Sequence, residues 1–341
     1  MTQCAFCSES LPDLPKPSSR PIFSVCAKCM NPLLLKHDGA DWQVSAPRTF
    51  QDVRYVAQEG SIGAEILKLL PEAIERLPIL PGIARRILGF ARDPEGSIQD
   101  LIDLVNQDQV IALKVLRLAN SAVYGGLAEI RDMRSACARL GMRVIANTVQ
   151  AIASGRVYRT RSVKYQGLMG NLWCHALATG QCANDIAVVI AEPCADMLFV
   201  AGLIHDVGKV ILLDLIANHD SPTMETLRDS PELFDEVIAG YHTLVGLHIT
   251  QRWNLPREFG VTTFCHDRLM SIPDESWLTT VHVVALASAL ADVSGFGGEG
   301  SEVSLLSLPS TKFLGLSDIK LASLRIDLED KVKALLEAVS G

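Results

Sequence analysis

Apolar residues recur along most of the chain with the spacing of a helix. After Ser61 they follow one another every three or four residues, the period of a helix with one buried face; the first group is Ile62, Ile66, Leu67, Leu70 and Ile74. The same spacing predicts helices over 134–153 and 171–191, and a final helix from Ser317 onward. The sequence shows neither strands alternating with helices nor a repeat of fixed length. Everything after residue 60 is therefore predicted to be mainly α-helical.

Polar residues and prolines mark where these helices begin and end. Pro94 ends a helix predicted over 83–91, because the residue before a proline disfavours helical geometry. Ser97 followed by Asp100 has the spacing of a helix N-cap with an acid in the first turn. The apolar run 110–119 then predicts a further helix that stops at the next polar pair.

The first sixty residues have a different texture. Two C-x-x-C pairs, Cys4/Cys7 and Cys26/Cys29, flank a stretch rich in Pro and Ser. This is the spacing of a four-thiolate Zn²⁺ site, and in so short a segment the metal would supply most of the folding free energy. The competing interpretation is four unrelated reduced thiols. Three roles are possible for a zinc ribbon of this kind: binding nucleic acid, binding a protein, or forming a structural cap.

The domain boundaries follow from these changes of texture. We predict a zinc-ribbon-like β module over 1–40 and a linker over 41–60, with one or two short strands near the WQV triplet. A helical domain follows over 61–300, with an N-terminal part to about 165 and a second part from about 166. Residues 301–341 form a C-terminal helical extension.

Composition and charge limit the class of protein. Of 341 residues, 48% are hydrophobic, which excludes a disordered chain, and the net charge is −8. A globally acidic protein repels phosphate backbones, so nucleic-acid binding would need a local basic patch. No secretory signal is visible, and charged residues interrupt the most apolar segment, 197–217. We therefore expect a soluble, cytoplasmic protein without a membrane partner.

One His-Asp pair stands out chemically. His205-Asp206 lies inside a segment so apolar that we expect an almost continuous buried helix. A buried carboxylate needs a partner, and a metal ion is one, since imidazole and carboxylate are ligands for Zn, Fe or Mn. A plain His-Asp hydrogen bond, or a core histidine that caps a neighbouring helix, is the more usual explanation of a lone pair. His175, His242 and His266 lie in other apolar helices, and a helical bundle can bring such ligands together one helix at a time.

Longer stretches of the sequence resemble one family. The pattern His175 … His205-Asp206-x-Gly208-Lys209 … His242 … His266 resembles the HD superfamily of metal-dependent phosphohydrolases. More closely, about 71–291 resembles the HDOD family, the HD-related output domain of bacterial signalling proteins. The matching stretches are LPILPGIARRIL, NQDQVIALKVLRLANSAVYG, IRDMRSACARLGMRVIANTV, GLIHDVGK and GYHTLVGLHITQRWNLP.

The resemblance implies a role for each matching residue. His175, His205 and Asp206 match the positions that hold the metal in HD phosphohydrolases, where a metal-bound hydroxide attacks phosphorus. His242 and His266 match additional ligands of the two-metal HD-GYP phosphodiesterases. Lys209 matches a lysine close to the substrate phosphate. A divalent Fe, Mn or Zn ion is the implied cofactor.

The sequence departs from the enzymatic pattern at several points. The last metal-binding aspartate of the superfamily is replaced by Ser288, and Asp292 follows one helical turn later. The second histidine of the HH pair of the HD-GYP proteins is also altered, because Cys265 precedes His266, and the GYP motif is missing. HDOD proteins as a family are regarded as degenerate HD domains that signal by interaction rather than hydrolysis.

Two functions follow as hypotheses. The first is a signal-transduction output module with a degenerate metal site, a signalling protein as partner and no robust catalysis. The alternative is a metal-dependent phosphohydrolase or phosphodiesterase acting on a nucleotide or cyclic dinucleotide, with Asp206 and Lys209 as catalytic residues. A third, weaker hypothesis is nucleic-acid binding through the zinc ribbon and a basic stretch of the helical domain. Arginines spaced in this way more often form a solvated helix face. The basic stretch comprises Arg131, Arg134, Arg139, Arg143, Arg156, Arg159, Arg161 and Lys164.

Overall fold

A computed structural model provides the fold of the protein. It describes residues 22–25, 32–37, 41–45, 62–75, 97–126, 128–193, 195–269, 272, 275–298 and 303–340. The helix predicted over 83–91 and the cysteine pairs Cys4/Cys7 and Cys26/Cys29 lie outside these residues.

The described chain is mainly helical, which confirms that part of the predicted fold class. Its strands are β1 (Ile22–Val25), β2 (Pro32–His37) and β3 (Trp42–Ser45). Its helices are α1 (Ile62–Glu75), α2 (Ile98–Asn106), α3 (Gln109–Ala119), α4 (Met133–Ser154), α5 (Gln166–Val189), α6 (Ala195–Ile204), α7 (Val207–Asn218), α8 (Pro222–Asp229), α9 (Pro231–Arg252), α10 (Arg257–Cys265), α11 (Leu278–Val293), α12 (Pro309–Phe313) and α13 (Asp318–Ser340).

The three strands form one antiparallel sheet in the order β1-β2-β3. Ile22 pairs with Leu35, and Leu34 pairs with Ser45. The third strand contains the WQV triplet, so a strand forms where the alternation predicted one.

Several helix ends are those that the polar residues predicted. The Ser97 side chain accepts a hydrogen bond from the Asp100 backbone N–H, and the Asp100 carboxylate accepts one from the Ser97 backbone N–H, both at 3.2 Å. This reciprocal arrangement satisfies two N–H groups that the first turn of α2 leaves without helical partners. Asn120 caps the end of α3.

The chain divides into two compact units. Unit 1 comprises the described residues of 1–77 together with 207–281, and unit 2 comprises those of 78–206 together with 282–341. Within unit 1, α9 packs against both α7 and α10. Within unit 2, α5 packs against α6 and α13, and α3 packs against α4.

The helix predicted over 134–153 is interrupted. Gly141 has φ +78° and ψ +157°, so α4 consists of two helical pieces that meet at a kink. A positive φ costs glycine little because it has no Cβ. Periodicity alone could not reveal this break, since the apolar spacing continues through it.

The expectation of an almost continuous helix around His205-Asp206 is wrong. Helix α6 ends at Ile204 and α7 begins at Val207, so the pair occupies the break between two apolar helices. At such a break backbone groups lack helical partners, and the polar side chains leave the helical path.

Residues Glu275–Val293 form a stretch long and apolar enough to cross a membrane by length and composition alone. Its side chains at Val281, Val284, Ala287 and Leu290 are fully buried in the protein. A core helix of this kind passes the same test without any membrane.

Candidate metal centres

Two glycines bring α5 and α6 of unit 2 into close contact. A Cβ on Gly202 would lie 2.7 Å from the backbone oxygen of Thr179, and a Cβ on Gly180 would lie 2.9 Å from that of Phe199. Only glycine fits such an approach of two backbones. This crossing holds His175, one turn before Thr179, close to the residues that follow α6.

Three of the predicted ligands meet at this crossing. The Nε2 atoms of His175 and His205 are 3.3 Å apart, and Asp206 Oδ2 lies 3.8 Å and 3.3 Å from them. Exposed fractions of the three residues are 6%, 0% and 2%. The expected convergence of His175, His205 and Asp206 is thus present within one unit.

These spacings fit ligands of one ion. Donors bound to Zn²⁺ at about 2.1 Å in a tetrahedron lie about 3.4 Å from one another. Two imidazoles and a carboxylate form a donor set that suits Zn, Fe or Mn. The cluster could therefore hold a metal ion, with at least one coordination position left for another ligand.

Backbone carbonyls fix both histidine rings for this role. His205 Nδ1 lies 2.7 Å from the carbonyl oxygen of Gly202, and His175 Nδ1 lies 3.2 Å from that of Phe296. Because a carbonyl only accepts, Nδ1–H is the donor in each ring, and the Nε2 lone pair is directed toward the cluster. Metal-binding histidines commonly use their second nitrogen in this way.

Ser288 and Asp292 contact opposite sides of the same imidazole. Ser288 Oγ lies 3.2 Å from His175 Nε2, so the hydroxyl occupies the ligand side of the ring. Asp292 Oδ1 lies 3.1 Å from His175 Nδ1, on the far side of the ring, and shares the hydrogen bond from Nδ1–H with the carbonyl of Phe296. Asp292 therefore orients the ring and does not replace the missing carboxylate at position 288.

Tyr158 lies next to this cluster, at the end of α6. Its hydroxyl donates to the backbone oxygen of Leu203 at 2.9 Å. Burial raises the pKa of Tyr158 well above its usual value, and the negative charge of Asp206 raises it further. The phenol is thus a neutral donor that anchors the end of α6, two residues before His205.

The other two predicted histidines lie together in unit 1. His242 belongs to α9, His266 caps the end of α10, and their ring centres are 5.6 Å apart. Asp267 bridges them, with Oδ2 3.0 Å from His242 Nε2 and Oδ1 3.3 Å from His266 Nε2. In both rings Nδ1 faces backbone carbonyls, that of Ile238 for His242 and that of Thr263 for His266.

Lys209 lies in the first turn of α7 and is half-buried. The preceding residue, Gly208, packs directly against the backbone carbonyl of His242, where a Cβ would overlap that oxygen. The glycine of the HDxGK motif thus sets the contact between α7 and α9.

Sequence reasoning missed Asp267 and Phe296. Asp267 directly follows His266, and its acidic side chain was a visible signal. The carbonyl of Phe296 carries no sequence signal, because any residue offers one.

The comparisons with known proteins identify the family of the chain. The HDOD domain profile matches residues 77–269, more than half of the chain. The chain belongs to the HDOD family. The crystal structure of an HDOD domain protein of unknown function from Geobacter sulfurreducens is 26% identical, with a TM-score of 0.66, and the match covers 80% of this chain and 98% of that one.

Two more distant crystal structures share the fold. A protein from Shewanella amazonensis SB2B, provisionally named a metal-dependent phosphohydrolase, is 18% identical with a TM-score of 0.60, over 82% of this HDOD chain and 98% of that chain. A protein from Marinobacter aquaeolei VT8, provisionally named a signal transduction protein, is 18% identical with a TM-score of 0.57, over 90% and 75% of the two chains.

A relative from Treponema pallidum is called an uncharacterized protein. It is 25% identical over 244 residues, which is 67% of this chain. The match spans 45% of the length of that relative.

Proposed function

We propose that this HDOD protein is a signal-transduction output module that holds one divalent metal ion at His175, His205 and Asp206 and lacks robust hydrolysis. The observation that carries this proposal is Ser288. Its hydroxyl stands 3.2 Å from His175 Nε2, on the ligand side of the ring, and a neutral hydroxyl is a much poorer ligand than a carboxylate.

The donor set has only one negative charge, that of the Asp206 carboxylate, and this supports metal binding more than robust hydrolysis. A bound divalent ion would polarise a phosphoryl oxygen and lower the pKa of a bound water. His175 and His205 would donate through Nε2, and Asp206 would contribute the one carboxylate of the set. Ser288 can donate its hydroxyl proton to His175 Nε2 in the metal-free protein, which keeps the ring oriented.

Similarity in fold supports a signalling role by analogy. The Marinobacter protein carries a provisional signal-transduction name, and the HDOD match covers most of the helical chain. We accordingly propose a signalling protein as the partner of this module. A cytoplasmic location is a separate proposal, which the comparisons do not address and which the lack of a visible secretory signal supports.

The alternative is a metal-dependent phosphohydrolase or phosphodiesterase. The observation that favours it is the buried triad itself, whose three donor atoms lie within 3.8 Å of one another. In this case Asp206 would hold the catalytic metal and Lys209 would face the substrate phosphate of a nucleotide or cyclic dinucleotide.

One experiment separates the two functions. Purified protein is loaded with Mn²⁺ or Fe²⁺, its metal content is measured, and a panel of phosphomonoesters and phosphodiesters is assayed. We expect bound metal that Asp206→Ala removes, without turnover above the metal-free protein. The matched control is Asp220→Ala, which removes an equal charge at an exposed position. Turnover that Asp206→Ala abolishes and Asp220→Ala preserves would establish the enzyme instead.

We also propose a Zn²⁺ ion at Cys4, Cys7, Cys26 and Cys29. Two C-x-x-C pairs support it by their spacing. Elemental analysis should find zinc in the full chain and lose it in a Cys4→Ser/Cys7→Ser variant, while metal at the histidine cluster is retained. Salt-dependent gel shifts with the same two proteins test whether the ribbon binds nucleic acid.

A further inference from the structure

A cleft in unit 2 is lined by Tyr158, which also borders the histidine cluster, and by residues that the proposed function does not use, but by none of the proposed metal ligands. It lies between α3, the chain that follows α4 and the first turns of α5, and its volume is about 550 Å³. Sites for small molecules usually have volumes of about 300–1,000 Å³. The cleft is therefore large enough for a ligand of metabolite size.

Three cationic side chains line one part of the cleft: Lys114, Arg156 and Arg159. In the part of the chain that the structure describes, no carboxylate pairs with Arg156 or Arg159. Burial lowers the pKa of Lys114, and the nearby positive charges of Arg159 and Arg117 lower it further. Like charges gathered without an acid form a site that an anion would stabilise.

The arginines belong to the stretch for which a solvated helix face was the plainer interpretation. Arg156 and Arg159 are exposed but do not continue α4, which ends at Ser154. They follow that helix in a turn and converge on the cleft with Lys114 of α3. Arg161, by contrast, is exposed and does not line the cleft.

The remaining lining is apolar and includes one aromatic ring. Trp173, Met169 and Ile152 contribute to it. Trp173 is half-buried and held in place, because its ring lies 5.0 Å from that of Tyr158 and a Cβ on Gly155 would lie 3.2 Å from its edge. A fixed indole beside cations is suited to a ligand that joins a planar ring to an anionic group.

The start of α5 adds a further positive contribution. Gln166, the first residue of this 24-residue helix, lines the cleft, and no side chain caps the helix start. The backbone N–H of Gln166 already donates to the carbonyl oxygen of Val163, so the helix start contributes the positive end of its dipole, which favours an anion.

From these contacts we propose that the cleft binds a small molecule with a phosphate group and a planar ring, which in chemical class is a nucleoside monophosphate. Arg156 and Arg159 bind the phosphate, since guanidinium groups match phosphate oxygens in geometry and charge. Lys114, whose Nζ already donates to the backbone oxygen of Val339 at 2.5 Å, adds positive charge beside them. The ring of the ligand lies on the apolar wall with Trp173. This site is independent of metal binding at His175, His205 and Asp206.

Isothermal titration of the full chain with AMP, GMP, CMP and UMP tests the proposal, at an ionic strength of about 0.15 M, where surface charges are screened beyond about 8 Å, and with EDTA present. At least one nucleotide should bind, and inorganic phosphate and the matching nucleoside should each bind about tenfold more weakly or worse. Arg159→Gln should raise the Kd about tenfold, the usual effect of losing a charge-assisted hydrogen bond. Arg161→Gln, with the same loss of charge two residues away, should leave the Kd within about twofold, as expected for a screened surface charge.

Three results would overturn the proposal. One is the absence of binding by all four nucleotides. Another is equal binding of inorganic phosphate and nucleotide, or equal weakening by Arg159→Gln and Arg161→Gln, because general electrostatic attraction then explains the data. The third is loss of nucleotide binding in Asp206→Ala, which would place the ligand at the histidine cluster. Retained binding in that variant supports the separate cleft.

Discussion

At the scale of single residues, the histidine cluster depends on what lies on each side of His175. Ser288 faces Nε2, and the Asp292 carboxylate accepts a hydrogen bond from Nδ1–H. The two side chains are one helical turn apart on α11, so both can reach the same ring. A side chain that faces Nε2 can serve as a metal ligand, whereas one that faces Nδ1 can only orient the ring.

Ser288→Asp should restore a strong ligand. Its carboxylate would lie on the Nε2 side of His175, where the serine hydroxyl now stands, and we expect the affinity for Mn²⁺ to rise about tenfold or more. Titration with Mn²⁺ followed by electron paramagnetic resonance measures this. Ser288→Ala is the control and should change the affinity little. An unchanged affinity in Ser288→Asp would contradict the assignment of position 288 to the ligand side.

Gly297→Ala should displace the imidazole of His175, because the new methyl group would overlap the His175 side chain. Gly297 has φ +106°, and a Cβ there would lie 2.5 Å from the Cβ of His175. Backbone strain and overlap together should lower the free energy of unfolding by about 1–3 kcal/mol and weaken metal binding. Thermal melts with and without Mn²⁺ check both effects. Gly298→Ala, which meets nothing within 4 Å, should behave like the wild type.

At the scale of helices, glycines determine which elements approach closely. Gly180 and Gly202 allow α5 to cross α6 in unit 2, and Gly208 allows α7 to meet α9 in unit 1. Each crossing places a histidine-bearing segment beside its neighbour. Helices α6 and α7 are apolar on almost all sides, so on these two helices the glycines and not a narrow apolar stripe select the contact face.

Gly208→Ala should therefore be strongly destabilising. The new methyl group would overlap the backbone carbonyl of His242, which cannot move without shifting α9. We expect a loss of about 3 kcal/mol in the free energy of unfolding, measured by urea denaturation. Gly240→Ala on α9, where a Cβ meets nothing within 4 Å, should be neutral or stabilising. Equal stability of the two variants would mean that the close approach is absent.

The sequence predicted these helices better than it predicted their interruptions. Local signals sufficed for the Ser97 cap and for the end of α3, because capping involves residues three or four positions apart. The kink at Gly141 and the break at His205-Asp206 were not predictable from apolar spacing, which runs through both.

At the scale of the whole molecule, the candidate site was only partly predictable. His175, His205 and Asp206 could be named because a family pattern marks them. The position of Asp292 on the Nδ1 side, and the convergence of Lys114 with Arg159, depend on distances between segments far apart in sequence. No periodicity or motif encodes those distances.

Acid should destabilise the protein before its carboxylates are protonated. Burial lowers the pKa of His248 to about 4, below the value of about 6.5 for an unfolded chain. The unfolded state then binds more protons between these values, so the stability from this group is complete above pH ~6.5 and declines toward pH ~4. The loss is at most about 3 kcal/mol, since the side chain is only half-buried and solvent reduces the effect.

Urea denaturation at a series of pH values measures this dependence. In His248→Gln, which does not titrate, the decline between pH ~6.5 and ~4 should be smaller by the contribution of this one ring. A variant that loses stability with acid as steeply as the wild type would assign the effect to other groups.

The carbonyl oxygens of Gly202 and Phe296 have a kinetic consequence. They hold two imidazoles in position before any ion arrives, so capture needs no search by side chains and little loss of rotamer freedom. The rate of metal binding should then be limited by the dehydration of the ion. Mg²⁺, which dehydrates reluctantly, should enter far more slowly than Mn²⁺ at equal concentration.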